Sequence, residues 1–408
     1  MLIPCFFLAS AGELSPLTIP LSMLVVFVSA KILAELFERL GQPGIVGEIL
    51  AGILIGPYVL GWMAPNVVLT VLADLGVMFL LFRVGLEVKS SDLLKVGGTA
   101  LLVATAGVVL PFLMGWAIMA AWGFPSLESI FTGAAMVATS VGITAQVLSA
   151  KGLLSARASQ IILAAAVIDD VLGLLILALV SSMAKGKVDL LELTLTAGIA
   201  VGFTVFVAKW GTRTMDRVMP RMEARMSLAE SQFALSMALL FGLALLAVYA
   251  GVAAIVGAFL AGMALSESVD RRVHQLADGV TELLVPFFLV GIGLHFDLTA
   301  FATGSTMLLA VVILAAAIVS KLLGCGLGAL SLGRKDAMRV GAGMVPRGEV
   351  GMVVAQIGRS LGVIEPGVYG IVVFMSVATT LVAPPLLNYT YRGMEQPPKP
   401  DEEIMRLG

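Results

Sequence analysis

Two aspartates, Asp169 and Asp170, stand side by side in the apolar stretch "AAAVIDDVLGLLILAL", residues 164–179. Acids are poorly solvated there: insertion scales put a carboxylate at a bilayer centre at roughly 2.5–3.5 kcal/mol. Adjacent like charges also raise the cost of ionising both. A third ionisable group, Lys321, sits in the equally apolar "AIVSKLLGCGLGAL". Ionisable side chains within membrane-length runs mark ion paths and proton relays. These three sum to −1 when all are charged, and either a monovalent cation or a proton brings the sum to zero. A carboxylate that cannot hold both at once is enough to exchange a cation against protons.

Two further stretches hold backbone-breaking residues at similar depth. "ATSVGIT" carries Thr139, Ser140, Gly142 and Thr144, and "VPRGEVG" carries Pro346, Arg347, Gly348, Glu349 and Gly351. Both helices are expected to unwind there and cross. Irregular backbone at that depth survives only where protein or a water-filled cavity satisfies it. Freed carbonyls and half-helix ends then hold a cation or balance a carboxylate. Taken alone, the Gly and Thr of "ATSVGIT" are ordinary helix-packing residues. Arg347 and Glu349 are read first as neutralising each other at the crossing, ahead of direct contact with an ion. Glu48, Asp74 and Arg83 are read as structural or interfacial.

The elements that must position these residues follow from composition. The chain has 408 residues, 59% hydrophobic and 13% charged, with mean hydropathy +1.04. A soluble domain carries roughly 25% charged residues, so this is an all-α integral membrane protein. Its apolar runs suit helices, which need about 20 residues to span. They lack the alternation of an outer-membrane barrel. Cys5 and Cys325 are the only cysteines, so neither a disulfide framework nor a metal cluster is indicated. The N-terminus lacks the positive region of a signal peptide and reads as a short tail.

Apolar runs set against turn signals give thirteen expected spans: 16–39, 43–57, 65–87, 93–121, 125–150, 156–182, 189–209, 228–249, 251–267, 276–295, 305–332, 335–360 and 367–391. Alternate loops carry nearly all the lysines and arginines, and the other set holds only Lys185 and Lys187. The positive-inside rule then puts the N-terminus outside and the C-terminus in the cytoplasm. The segment "KWGTRTMDRVMPRMEARMSL", 209–228, is read as a cytoplasmic linker at the lipid interface.

The chain also matches itself at an offset of 208–210. "VGEILAGILIG" (46–56) resembles "VGAFLAGMALS" (256–266), "FLLFRVGLEV" (79–88) resembles "FFLVGIGLHF" (287–296), and "GAAMVATSVGITAQV" (133–147) resembles "GAGMVPRGEVGMVVAQI" (341–357). The offset is seven spans, an odd number, so equivalent helices cross in opposite directions. An inverted-topology repeat is expected, spans 1–6 against 8–13. That architecture marks secondary transporters with sites near the midplane. At the offset of 208 the aspartates correspond to Val377 and Ala378, so only one copy carries the acids.

On these motifs the chain resembles monovalent cation:proton antiporters of the NapA/Kef type, bacterial sodium/proton antiporters among them. The resemblance spans nearly the whole sequence. It implies an NhaA/NapA-like fold with two broken crossing helices, a homodimer, an elevator-like sliding of a core domain, and a role in pH homeostasis. It implies a dimer or scaffold domain in 1–92 and 228–304, and an ion-transport core in 93–188 and 305–392. A linker helix and cytoplasmic linker would fill 189–227 and a cytoplasmic tail 393–408. Asp170 matches the main cation and proton carrier, and Asp169 the acid paired with the lysine at Lys321. Thr139 and Ser140 match the unwound stretch beside the ion, completing a Na+ site with both acids. Glu349, with Arg347, matches support in the second broken helix. Kef-type proteins usually carry Gln at the Asp169 position and a cytosolic nucleotide-binding domain. Asp169, and an end about 16 residues after the last span, favour electrogenic Na+ (or Li+) exchange; K+/H+ exchange is the alternative.

The expected partners are monovalent cations, protons and the bilayer of a bacterial inner membrane, with no nucleic acid and no cofactor. An intramembrane aspartyl protease needs acids that face each other and share a proton. Neighbours on one helix point ~100° apart, so an enzyme is not expected. A passive channel would not couple cation flux to proton flux.

Overall fold

The computed structural model describes residues 18–40, 42–88, 90–184, 190–223, 230–296 and 304–394. Lys185, Lys187, Arg225 and the tail 395–408 fall outside the described residues, as does the side chain of Glu349. Among the described residues the regular structure is helical throughout. In chain order the α-helices are α1 (Thr18–Arg39), α2 (Gly44–Ile55), α3 (Val67–Leu86), α4 (Ser90–Ala121), α5 (Ser126–Ala135), α6 (Val141–Ala150), α7 (Arg157–Ala184) and α8 (Leu190–Glu223). Then follow α9 (Ser231–Tyr249), α10 (Ala254–Leu265), α11 (Arg271–Leu294), α12 (Gly304–Gly328), α13 (Arg334–Gly343), α14 (Glu349–Ser360) and α15 (Pro366–Thr390). Eight are long and apolar enough to cross a membrane, and α2, α6 and α10 are shorter apolar helices. The expected spans 125–150 and 335–360 each hold two helices: α5 and α6, separated at 136–140, and α13 and α14, separated at 344–348.

Lipid offers little hydrophobic drive for helix association, so small residues that let backbones approach do much of the packing. The same glycine contacts occur in both halves of the chain. Gly47 of α2 lies against the Leu33 carbonyl of α1, and Gly257 of α10 against the Leu243 carbonyl of α9. Gly52 meets the Val290 carbonyl of α11, and Gly262 the Phe82 carbonyl of α3. Gly293 meets the Ile49 carbonyl, and Gly85 the Phe259 carbonyl. Gly133 of α5 meets the Phe112 carbonyl of α4, and Gly341 of α13 the Leu322 carbonyl of α12. Each residue sits 208 or 210 positions from its counterpart. A β-carbon at any of these glycines would run into backbone.

The helices group by their main neighbours. α3 packs on α10 and α11, α2 on α1 and α11, and α9 on α10. α4 packs on α5, α7 and α12, and α15 on α12, α13 and α14. Fewer contacts join the groups, through α3 with α6, α2 with α15, and α8 with α4 and α7.

The segment after residue 209 is helical: α8 continues through it to Glu223. Arg and Met are good helix formers, and the extension has a docking face. Thr212 Oγ1 donates to the Met263 carbonyl at 3.4 Å, and Ser268 Oγ donates to Asp216 at 2.5 Å. Met219 is buried in a cluster with Leu240, Ala261 and Leu265. Arg213, Arg217 and Arg221, spaced by four residues, face outward.

Candidate functional site

Asp169 and Asp170 lie at the centre of α7, which carries no basic residue in its last turn and none near the pair. Asp169 is fully buried, with both carboxylate oxygens engaged. Oδ1 receives Lys321 Nζ of α12 at 3.1 Å, an ion pair with no solvent exposure on either side. Oδ2 receives the backbone N–H of Thr139 at 2.9 Å. That amide is available because α5 has ended at Ala135 and α6 has not begun. The first break therefore supplies a donor that an intact helix would have used internally.

The two breaks meet. Ser140 N–H donates to the Pro346 carbonyl at 2.8 Å, and Thr144 Oγ1 donates to the Gly343 carbonyl at 2.6 Å. Pro346 disfavours a helical conformation in the residue before it. Gly348 lies against the Ser140 side chain, where a β-carbon would come within 2.6 Å. Ser140 and Thr139 are both buried, and the Thr139 hydroxyl has no hydrogen-bond partner among the described residues.

Arg347 is the largest fully buried side chain among the described residues. Its backbone N–H donates to Thr379 Oγ1 at 3.0 Å, and Nη2 donates to the Ala317 carbonyl at 3.2 Å, one turn before Lys321. Its Nε and Nη1 have no partner among the described residues. The structure thus brings together five of the residues singled out above, Asp169, Lys321, Thr139, Ser140 and Arg347. The expected Arg347–Glu349 neutralisation involves a side chain outside the described ones. Thr379 and the Ala317 carbonyl were not singled out. A lone threonine in an apolar span was the available signal for the first, and a backbone oxygen leaves none.

Asp170 is turned differently. It is nearly buried and lies on the wall of a cavity of ≈ 10 Å³, shared with Leu81 of α3, Val141 of α6, Leu163 and Val167 of α7, and Val256 and Phe259 of α10. That is room for about one water-sized body. A larger cavity of ≈ 580 Å³ opens at the end of the molecule that carries Lys151. Its walls include Lys31, Glu35, Glu38 and Glu48 of the α1–α2 region, Gln146 and Lys151 of the α6 end, and Asn388 of α15. Glu48 is held there by Lys31 at 2.9 Å. No group of three or more His, Cys, Asp or Glu capable of holding a metal ion occurs among the described residues. Asp170 is the one ionisable side chain among the walls of the small cavity, and a carboxylate oxygen suits hard cations.

A family profile described as "Sodium/hydrogen exchanger, transmembrane" matches residues 23–390. The chain is 33% identical over 379 residues to the Na(+)/H(+)-K(+) antiporter GerN of Bacillus cereus, covering 91% of this chain and 96% of that one. It is 31% identical to the high-affinity Na(+)/H(+) antiporter NhaS3 of Synechocystis, covering 96% and 94%. It is 32% identical to a Na(+)/H(+) antiporter of Enterococcus hirae, covering 90% and 96%. The solved structure of the sodium proton antiporter MjNhaP1 from Methanocaldococcus jannaschii at pH 8 has the same fold, with TM-score 0.62 at 19% identity over 93% of this chain and 97% of that one.

Proposed function

The chain belongs to the sodium/hydrogen exchanger family, and on that premise we propose that it exchanges Na+ for protons by alternating access at Asp170. The observation that carries this reading is the asymmetry of the acid pair. Asp169 is tied to Lys321 and to the Thr139 amide, while its neighbour Asp170 faces a cavity between helices. A protonated Asp170 releases the cation, and an ionised Asp170 binds it with oxygens from Asp169, Thr139 and Ser140. Arg347 and Glu349 support the crossing of the two breaks. The protein is a transporter of a bacterial inner membrane rather than an enzyme.

Exchange is electrogenic in this reading. Lys321 holds Asp169 while no cation is bound. A cation that displaces it from Asp169 leaves a buried ammonium without its counter-charge, which favours loss of its proton. With the proton given up by Asp170, two protons then move against one cation. The inverted repeat is supported by the glycine contacts repeated at 208–210. The two groups of helices correspond to the scaffold (1–92 and 228–304) and the core (93–188 and 305–392), with sliding of the core as the elevator step and a homodimer joined through the scaffold. Thirteen crossings follow if α5 with α6, and α13 with α14, each complete one span.

A fluorescence assay of proton movement in proteoliposomes tests this, with Na+, Li+ or K+ added and the voltage clamped or free. Na+ and Li+ are expected to drive proton flux that responds to voltage. Flux driven by K+ alone would favour the K+ reading, which the 33% identical Na(+)/H(+)-K(+) antiporter GerN also brings into view. Flux that ignores every cation would end the proposal.

A further inference from the structure

The exchange reading leaves exposed carboxylates within spanning helices unused, among them Asp74 of α3 and, 208 residues on, Glu282 of α11. Of these, Asp74 is the one that shares a helix with a wall of the Asp170 cavity. Asp74 lies within α3, an apolar helix of spanning length. It is exposed, with no hydrogen-bond or ion-pair partner among the described residues. Ionisable residues at such depth almost always face a bundle interior or a water-filled space rather than lipid. Acids that are buried or half-buried in other helices are held: Glu48 by Lys31, Asp278 by Arg83 at 2.6 Å, and Glu128 by the backbone N–H of Glu365 at 3.0 Å.

Its face of the helix says which space. Asp74 and Leu81 are seven residues apart, so they lie within about 20° of each other around the axis and ~10 Å apart along it. Leu81 forms part of the wall of the small cavity at Asp170. Thr70, one turn above Asp74, is exposed, whereas Val77 and Leu81 below it are buried. Val77 and Phe288 of α11 close on Gly142 at the start of α6. This face thus runs from the end of α3 remote from the basic loop residue Lys95 down to Asp170, and it is shut by Val77 and Phe288 in this conformation. The ≈ 580 Å³ cavity opens at the opposite end.

We infer that Asp74 lines the route by which cations reach Asp170 from the side opposite the basic loops, and that its charge draws monovalent cations into that route. This rests on the exchange reading, and it replaces the structural or interfacial role expected of Asp74 from sequence. The charge steers and does not bind in the transport site, so it acts on apparent affinity from one side. At ~10 Å a unit charge alters local cation concentration about two-fold in water, and more between protein walls of lower dielectric.

Two measurements test it on the full chain. Asp74→Cys and Thr70→Cys, in a background with Cys325 and Cys5 replaced, are treated with a membrane-impermeant cationic thiol reagent on intact cells and on inverted vesicles. Labelling from the non-basic side only is expected, and protection from both sides would overturn the inference by placing this face against lipid or a second copy. This readout needs no transport, so it stands or falls separately from the exchange reading. In oriented proteoliposomes, Asp74→Asn is expected to raise the KM for Na+ about two-fold or more from the non-basic side. The KM from the other side and the maximal rate should stay the same, and Asp74→Glu should restore the wild-type value. An equal change from both sides, or none, would contradict a steering role.

Discussion

Both oxygens of Asp169 are occupied by fixed donors, one a lysine ammonium and the other a backbone amide. Such a carboxylate is a poor competitor for a passing ion until one donor leaves, and of the two only Lys321 can change its charge. Removing one partner of a buried ion pair typically costs about 3–5 kcal/mol. Lys321→Ala should therefore lower the thermal stability measurably and leave Asp169 free to take up a proton or cation itself. Any exchange that survives should be electroneutral. A variant whose proton flux responds to voltage as the wild type does would remove Lys321 from the proton count. Much of this constellation was legible in the chain, because acids and a lysine in apolar runs stand out and have few partners available. What could not be read was the direction of each group. Asp169 meets the amide of Thr139 rather than its hydroxyl, and Arg347 turns to the Ala317 carbonyl of α12. Those choices depend on how two breaks from distant parts of the chain settle against each other. The exposure of Asp74 was equally invisible, since residue type says nothing of which helix face is left uncovered.

At the scale of the element, the breaks and the glycines carry the construction. Proline and glycine in "VPRGEVG", and small polar residues in "ATSVGIT", suffice to end one helix and start another. The structure has both interruptions, at 344–348 and 136–140. Four half-helix ends meet there, two presenting carbonyls and two presenting N–H groups. The matched halves of the chain also lean on matched glycines. Gly52→Val and Gly262→Val each drive a branched side chain into a neighbouring carbonyl, and overpacking of this sort costs about 1–3 kcal/mol. Comparable losses in thermal unfolding are expected for the two variants, placed 210 residues apart. A loss confined to one of them would count against equivalent roles in the two halves. The segment 209–228 reads from its arginines as a linker at the lipid interface, and α8 runs helically into it as far as Glu223. Which side of it would pack is not legible: Met219 and Thr212 give it a face that docks beside α10.

For the molecule as a whole, two groups of helices meet around one acid, the proposed carrier. Asp170 sits on α7, yet the cavity beside it is walled by α3 and α10 of the other group. Sliding one group past the other would change which end of the molecule that cavity meets while the acid stays with its own helices. In this conformation Asp170 is enclosed, and the cavity open toward Lys151 does not have it among its walls. In such a device cation and proton compete for the same carboxylate, and so their fluxes must stop together. The direct test records Na+ uptake and proton movement at once in proteoliposomes holding wild-type protein or Asp170→Asn, each checked for folding by thermal unfolding. The wild type should move both ions in fixed proportion, and a folded Asp170→Asn should move neither above the level of empty vesicles. Cation-coupled proton flux that persists in Asp170→Asn would contradict the assignment of the carrier to this residue.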